Sequence, residues 1–223
     1  AARSRPCARP ERKPAAKRSP APVVSTTLSI GSAGTRWISP FAAITEPLEV
    51  GALLRAIDAF KGTLIVQSAL KLGPLVFVRP GELRQAEWKD IDMEAGEWSF
   101  IASKTKTPFI VPLARQAVAI LRELHPLTGH GRYVFPSPRT DDRPMSGNAI
   151  LSALRRMNIP KEEMTGHGFR AMARTMLDER LKFPEAHIEH QLAHRVKGPL
   201  GPTYNRTKFL DDRRVMMQAW ADY

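Results

Sequence analysis

Gly96-Glu97-Trp98-Ser99-Phe100-Ile101-Ala102, then Ser103-Lys104-Thr105-Lys106, then Thr107-Pro108-Phe109-Ile110-Val111-Pro112-Leu113 is the stretch that decides the fold. Two runs rich in β-branched and aromatic residues flank four polar ones, which predicts a β-hairpin with Lys104 and Lys106 at or near its tip. Outward from it, the apolar residues recur at helical spacing. Leu53, Leu54, Ile57 and Phe60 mark an amphipathic helix over Glu46 to Phe60. Ser68 to Val78 reads as a buried helix ending near Val78-Arg79-Pro80-Gly81. Ala117, Val118, Leu121 and Leu124 mark another, ended by Pro126 and Gly129. Ser146 is placed to cap a helix through Leu151, Leu154 and Met157. Further helical patterns cover roughly 168–181, 185–194 and 210–222. The expected class is therefore mostly α with a small antiparallel β-sheet.

Charge is distributed unevenly. The 223 residues carry 34 Lys and Arg against 22 Asp and Glu, a net charge of +12. Residues 1–40 hold Arg3, Arg5, Arg9, Arg12, Lys13, Lys17, Arg18 and Arg36 against Glu11 alone, which leaves +5 of the +12 for the rest. Pro6, Pro10, Pro14, Pro20, Pro22 and Pro40 fall in the same stretch. Mutual repulsion and lost backbone donors predict a disordered basic tail over 1–40, attractive to any polyanion, with one domain over 41–223. No run of about 18 apolar residues occurs, so no membrane partner is expected. Cys7 is the only cysteine, which excludes an internal disulfide framework and multi-cysteine metal sites. The chain opens on Ala and lacks an apolar signal core, which reads as a non-secreted fragment or processed product.

Phosphate loops of the GxxxxGK[ST] type, GxGxxG, HExxH and GxSxG are absent, and no acidic cluster suggests a two-metal nuclease. What remains is a series of basic and histidine positions running to a late tyrosine: Arg79, Lys104, His167, Arg170, His194 and Tyr204. These types suit attack on a phosphodiester. Planar guanidinium groups hold the charged non-bridging oxygens, a lysine protonates a departing alkoxide, and histidines move or orient protons. A tyrosine hydroxyl is a competent covalent nucleophile. Taken singly, each residue also has a structural use, such as Arg79 closing a helix end or Tyr204 filling a partly buried site.

Val78-Arg79-Pro80-Gly81-Glu82-Leu83 resembles the first-arginine motif of the tyrosine recombinases, the phage integrases in particular. Thr165-Gly166-His167-Gly168-Phe169-Arg170 resembles their HxxR motif, and Gln191-Leu192-Ala193-His194 with Tyr204 ten residues on resembles their closing histidine and nucleophile. Gly131-Arg132-Tyr133-Val134-Phe135-Pro136-Ser137 and Met216-Met217-Gln218-Ala219-Trp220 are similar to integrases of the prophage and genomic-island type. The likeness covers about residues 42–223 and implies the α+β catalytic-domain fold of that family. It implies that Arg79 and Arg170 bind the scissile phosphate, Lys104 protonates the 5′-hydroxyl, His167 shuttles protons and His194 hydrogen-bonds the phosphate. Tyr204 would form a 3′-phosphotyrosyl link, which stores the bond energy, so no cofactor and no metal are implied. Lys106 is the rival for the lysine role and otherwise a DNA-contacting residue.

The same likeness implies double-stranded DNA attachment sites as substrate and a homotetramer on synapsed DNA. Its subunits would meet through the C-terminal helix, whose apolar side is read as Val215, Met216 and Trp220, with accessory DNA-bending proteins and a cytoplasmic, nucleoid-associated setting. Residues 1–40 do not resemble the family's DNA-clamping domain, so that domain is read as absent. Gly198-Pro199-Leu200-Gly201-Pro202 reads as a mobile, turn-biased approach to Tyr204. A catalytically silent DNA-binding fragment and a strand nicker that acts without synapsis stay open as alternatives. His187, His190 and His194 share one helical face, but at about 10 Å end to end they are wide for one ion. His194 is assigned to the active site, the other two to the surface.

Overall fold

A computed structural model describes residues 42–194 and 209–223. The elements run α1 (Pro47–Ala59), α2 (Leu64–Val76), α3 (Pro80–Arg84), β1 (Ile91–Asp92), β2 (Glu97–Ile101), β3 (Pro108–Pro112), α4 (Arg115–Thr128), β4 (Pro136–Ser137), β5 (Thr140–Pro144), α5 (Ala149–Arg156), α6 (Gly168–Glu179), α7 (Glu185–Gln191) and α8 (Leu210–Asp222).

The α2 helix is apolar on nearly every side, and a helix of that kind must be enclosed. It packs against α1, α3, α4, α5, α6 and α8, with Leu70, Leu72 and Val76 sealed from solvent. It begins four residues before the expected start, capped by the Thr63 hydroxyl, which accepts from the Val66 N–H at 3.4 Å. It stops where Phe77 turns left-handed at φ 35°, freeing Val78 and Arg79 to run extended into α3. On α1, Val50, Leu53 and Ile57 face the core, and Leu54, one helical step aside, is exposed.

The expected hairpin forms as β2 and β3, in register Trp98 with Val111 and Phe100 with Phe109. Trp98, Phe100 and Phe109 make a row of rings, with centroids 4.7 and 5.9 Å apart. The two-residue β1 adds a third antiparallel strand. A second, unforeseen hairpin, β4 with β5, is built from Pro, Thr, Asp and Arg, without the alternation that flags a strand.

Three further expectations are corrected. Pro126 does not end α4: a proline in the last turn forfeits one N–H, and the helix continues to Thr128 before the Gly129 N–H closes it on the His125 carbonyl at 2.7 Å. Asn148, not Ser146, occupies the cap position of α5; the Ser146 hydroxyl, two residues upstream, instead accepts from the Asn148 N–H at 3.3 Å. On α8 the buried side is Arg213, Met216, Met217 and Trp220, and Val215 is 65% exposed. That face lies on the chain's own α2, α7 and β3. The Trp220 indole N–H donates to the Pro74 carbonyl at 2.9 Å, and the Gln218 amide oxygen accepts from the Arg115 N–H at 3.0 Å.

Candidate active site

Arg79 caps the start of α3, and Glu82 in the first turn reaches back to accept its backbone N–H at 3.0 Å. The other carboxylate oxygen takes the Arg79 guanidinium at 3.1 Å. It also takes both the N–H (3.0 Å) and the hydroxyl (2.8 Å) of Ser103 at the hairpin turn. Glu82 is thus a buried knot between the first arginine and the hairpin. Burial pushes its carboxyl up, but the Ser103 and Arg79 hydrogen bonds outweigh burial and hold it below the ordinary glutamate value.

Arg170 lies in the first turn of α6, where the positive helix end disfavours a cation. Two other helix ends compensate. Its guanidinium donates to the Phe77 carbonyl at the end of α2 (2.9 Å) and to the Leu192 carbonyl at the end of α7 (2.7 Å). Carbonyls at helix C-termini lack intrahelical partners and carry the negative end of the dipole. Burial first, then repulsion from Arg79, lowers Arg170 to about 10, which leaves it charged at neutral pH. The end of α7 also holds Arg79, whose Nη2 donates to the Ala193 carbonyl at 3.4 Å.

His167 occupies the cap position of α6. Burial, then Arg170 and Arg79, push its imidazole below its usual value, so it is neutral at pH 7. The start of α6 also demands glycine. A Cβ on Gly168 would come within 2.4 Å of the Ala42 carbonyl oxygen and 2.8 Å of the Met164 sulfur. His194, just past α7, turns Nε2 toward Arg170 Nη2 at 3.5 Å and Nδ1 toward Glu189 at 2.5 Å.

The structure therefore gathers Arg79, His167, Arg170 and His194, from three helix ends spread over more than a hundred residues of sequence, into one basic cluster with Glu82 and Glu189 beside it. Lys104 and Lys106 are exposed on the turn that Ser103 fixes to Glu82; Lys106 is left-handed at φ 57°. Tyr204 and the Gly198–Pro202 approach lie outside the described residues, as do residues 1–41. The histidine stripe separates. His187 faces Asp212 (3.7 Å) and the Phe209 ring. His190 is not on the surface: it is 4% exposed, stacked on Phe109 and edge-on to Phe209, because α7 presses that side onto β3 and the start of α8.

Sequence reasoning gave no role to Glu82, Ser103, Glu189 or Arg174. Glu82 had a signal, an acid at the third position after an extended residue preceding Pro80. Glu189 did not, because five residues from His194 is not a helical neighbour until the helix ends between them.

The fold is that of the tyrosine-recombinase catalytic domain. It matches XerA recombinase with a TM-score of 0.56 at 19% identity over 71% of this chain and 57% of that one. It matches the lambda integrase catalytic core with a TM-score of 0.52 at 19% identity, over 71% of this chain and 94% of that one. Residues 44–209 match the model of the phage integrase family, and the chain belongs to that family. It is 38% identical over 186 residues to the integrase of Enterobacteria phage P4, covering 76% of this chain and 42% of that protein. It is 39% identical over 176 residues to the prophage integrase IntZ of Escherichia coli K12, covering 78% of this chain and 43% of that protein. The chain thus spans less than half the length of these relatives. Among the described residues no helix is long and apolar enough to cross a membrane.

Proposed function

We propose that this chain carries the catalytic part of a site-specific DNA recombinase that cuts and rejoins strands through a 3′-phosphotyrosine intermediate. The observation that carries the reading is the convergence of Arg79, Arg170, His167 and His194, with both guanidiniums held by helix-end carbonyls. Such a cluster binds a phosphodiester and stabilises the charge that builds on its oxygens in the transition state. In the proposed step the Tyr204 hydroxyl passes its proton to His167 as its oxygen attacks phosphorus, an O–P bond forms on the 3′ side, and the O–P bond to the 5′ oxygen breaks as that oxygen takes a proton from Lys104. Rejoining reverses the step with a new 5′-hydroxyl, so the bond energy is conserved. The tie from Glu82 to Ser103 supports Lys104 as the acid, since it fixes the root of the turn beside Arg79.

Double-stranded attachment-site DNA is the proposed substrate. One relative in fold, a lambda integrase tetramer bound to a Holliday junction (TM-score 0.55, 18% identity, 73% of this chain and 49% of that one), supports assembly of several subunits on DNA. The proposed subunit contact is α8. Since Met216, Met217 and Trp220 are already buried in cis, assembly either exchanges that face or uses the outward side with Val215. The test is covalent trapping on nicked suicide duplexes from the flanks of the element, mapped by mass spectrometry, with Tyr204→Phe as control. A nucleotide adduct on Tyr204 that the variant lacks is the expected result. Salt-sensitive DNA binding without an adduct would overturn the catalytic reading and leave a binding-only chain.

A further inference from the structure

His194 is held at both ring nitrogens. Nδ1 lies 2.5 Å from Glu189 Oε2 and Nε2 lies 3.5 Å from Arg170 Nη2. An ionised carboxylate only accepts, so the proton of this short contact sits on Nδ1, and in the neutral ring Nε2 keeps its lone pair. Glu189 is itself braced. Its second oxygen accepts from Arg174 Nε at 2.7 Å, and Arg174 Nη2 also reaches Glu185 at 3.3 Å. The Glu189 side chain is 21% exposed, against 47% for His194. The bond from His194 first, then that from Arg174, working against burial, holds the Glu189 carboxyl at about 2, so it is charged throughout the neutral range. The backbone reinforces the pair, since the His194 N–H donates to the Glu189 carbonyl at 3.1 Å.

We infer that Glu189, braced by Arg174, is a positioning residue that fixes the His194 ring with Nδ1–H turned inward and Nε2 facing the phosphate site beside Arg170, where Nε2 accepts from the guanidinium in the neutral ring and donates to a phosphate oxygen when the ring holds a second proton. The inference rests on the reading of that cluster as a phosphate site. A histidine at a helix end, nearly half exposed, otherwise has two tautomers and several ring rotations, and only one of these presents Nε2 beside the guanidinium. A carboxylate behind an active-site imidazole restricts it to that one.

The test has two arms. In the first, the full chain labelled with 15N-histidine is read by long-range 1H–15N correlation at alkaline pH, where imidazole is neutral, with the His194 signal identified by its loss in His194→Gln. The expected result is the Nδ1–H tautomer in the unmodified chain. Glu189→Gln, which still offers an acceptor and preserves the shape, retains it. Glu189→Ala reverts to the Nε2–H form that an unrestrained histidine side chain prefers in water. An Nε2–H ring in the unmodified chain, or a ring indifferent to Glu189→Ala, overturns the inference. In the second arm, Tyr204 adduct formation falls by roughly 10- to 100-fold in Glu189→Ala, the range for loss of a group that orients a functional histidine. The double variant with His194→Ala is no worse than His194→Ala alone. Additive losses overturn positioning through His194. If the unmodified chain forms no adduct, the functional reading fails, and the tautomer arm still decides the pair.

Discussion

Removing Glu82 should cost this domain more than any other single carboxylate at the site, and the cost follows from its contacts. In Glu82→Ala the Arg79 guanidinium loses its counter-charge, and the N–H groups of Arg79 and Ser103 lose their acceptor together with the Ser103 hydroxyl. The Glu82 side chain is 5% exposed, so the hole admits little water, while Arg79 at 14% partly reaches solvent. Breaking a buried ion pair by deleting one partner costs about 3–5 kcal/mol, and the partial exposure of Arg79 argues for the lower end, about 3 kcal/mol. For a domain of this size each kcal/mol moves Tm by about 2–4 °C, so scanning calorimetry should show a fall of roughly 6–12 °C. Ser103→Ala removes one hydroxyl bond to a charged acceptor, about 1.5 kcal/mol, and should cost almost nothing further once Glu82 is gone. The sign of the pH dependence is also fixed. A carboxyl held below its unfolded value contributes stability above that value and loses it as pH falls through the folded one, so Glu82→Gln should flatten the acid limb of a Tm-versus-pH curve. A Glu82→Ala loss under about 1 kcal/mol, or full additivity with Ser103→Ala, would show that the knot does not bind the hairpin to Arg79.

Three further outcomes are expected. With a sulfur-substituted 5′ leaving group, which departs without a proton, adduct formation by Lys104→Ala should be restored while that by Lys106→Ala should not; the reverse pattern would give the acid's role to Lys106. Gly168→Ala should destabilise by roughly 1–3 kcal/mol in urea unfolding, because the new Cβ meets the Ala42 carbonyl oxygen at 2.4 Å, and a wild-type midpoint would refute that packing. Arg213 is fully buried, and among the described residues its side chain has only the Ile110 carbonyl and Gln191 as hydrogen-bond partners, with Nε and Nη2 unpaired, so Arg213→Met should be neutral or stabilising by up to about 4 kcal/mol, and a marked loss of stability would refute it.

The legible part of the molecule was the part written in hydrophobic period. The β2–β3 hairpin showed itself through Trp98, Phe100, Phe109 and Val111, and α1, α4 and α6 through their apolar faces. The β4–β5 hairpin did not, since Thr140 to Pro144 is polar and is held by backbone pairing to Pro136 and Ser137 rather than by a buried face. His190 was misplaced for a related reason. A histidine on a helix has no hydropathic signature, and only the packing of α7 against Phe109 and Phe209 decides that it is buried. At the site, the four residues that the structure brings together, Arg79, His167, Arg170 and His194, were legible by type and order, and their supports were not. Glu82, Ser103, Glu189 and Arg174 act through contacts that exist only once helix ends meet.

Those supports reveal how the site is prepared before any substrate arrives. A guanidinium offers five N–H donors, and Arg170 has committed donors on both Nη atoms to the carbonyls of Phe77 and Leu192. Neither carbonyl can be supplied by a side chain elsewhere, because each depends on a helix ending at one residue: Phe77 by turning left-handed, Leu192 by closing α7 just before left-handed Ala193. The geometry of the second arginine is thus set by where α2 and α7 stop, and the first arginine leans on the same α7 end through Ala193. Lys104 is tied less directly, by way of Ser103 and Glu82. Preorganisation is therefore graded. The charges proposed to hold the phosphate are fixed by main-chain carbonyls in the core, and the proposed proton donor hangs on one side-chain knot at the root of an exposed turn. A perturbation of the helix ends should weaken phosphate binding and chemistry together, whereas loosening the Glu82 knot should chiefly affect the step that needs an acid.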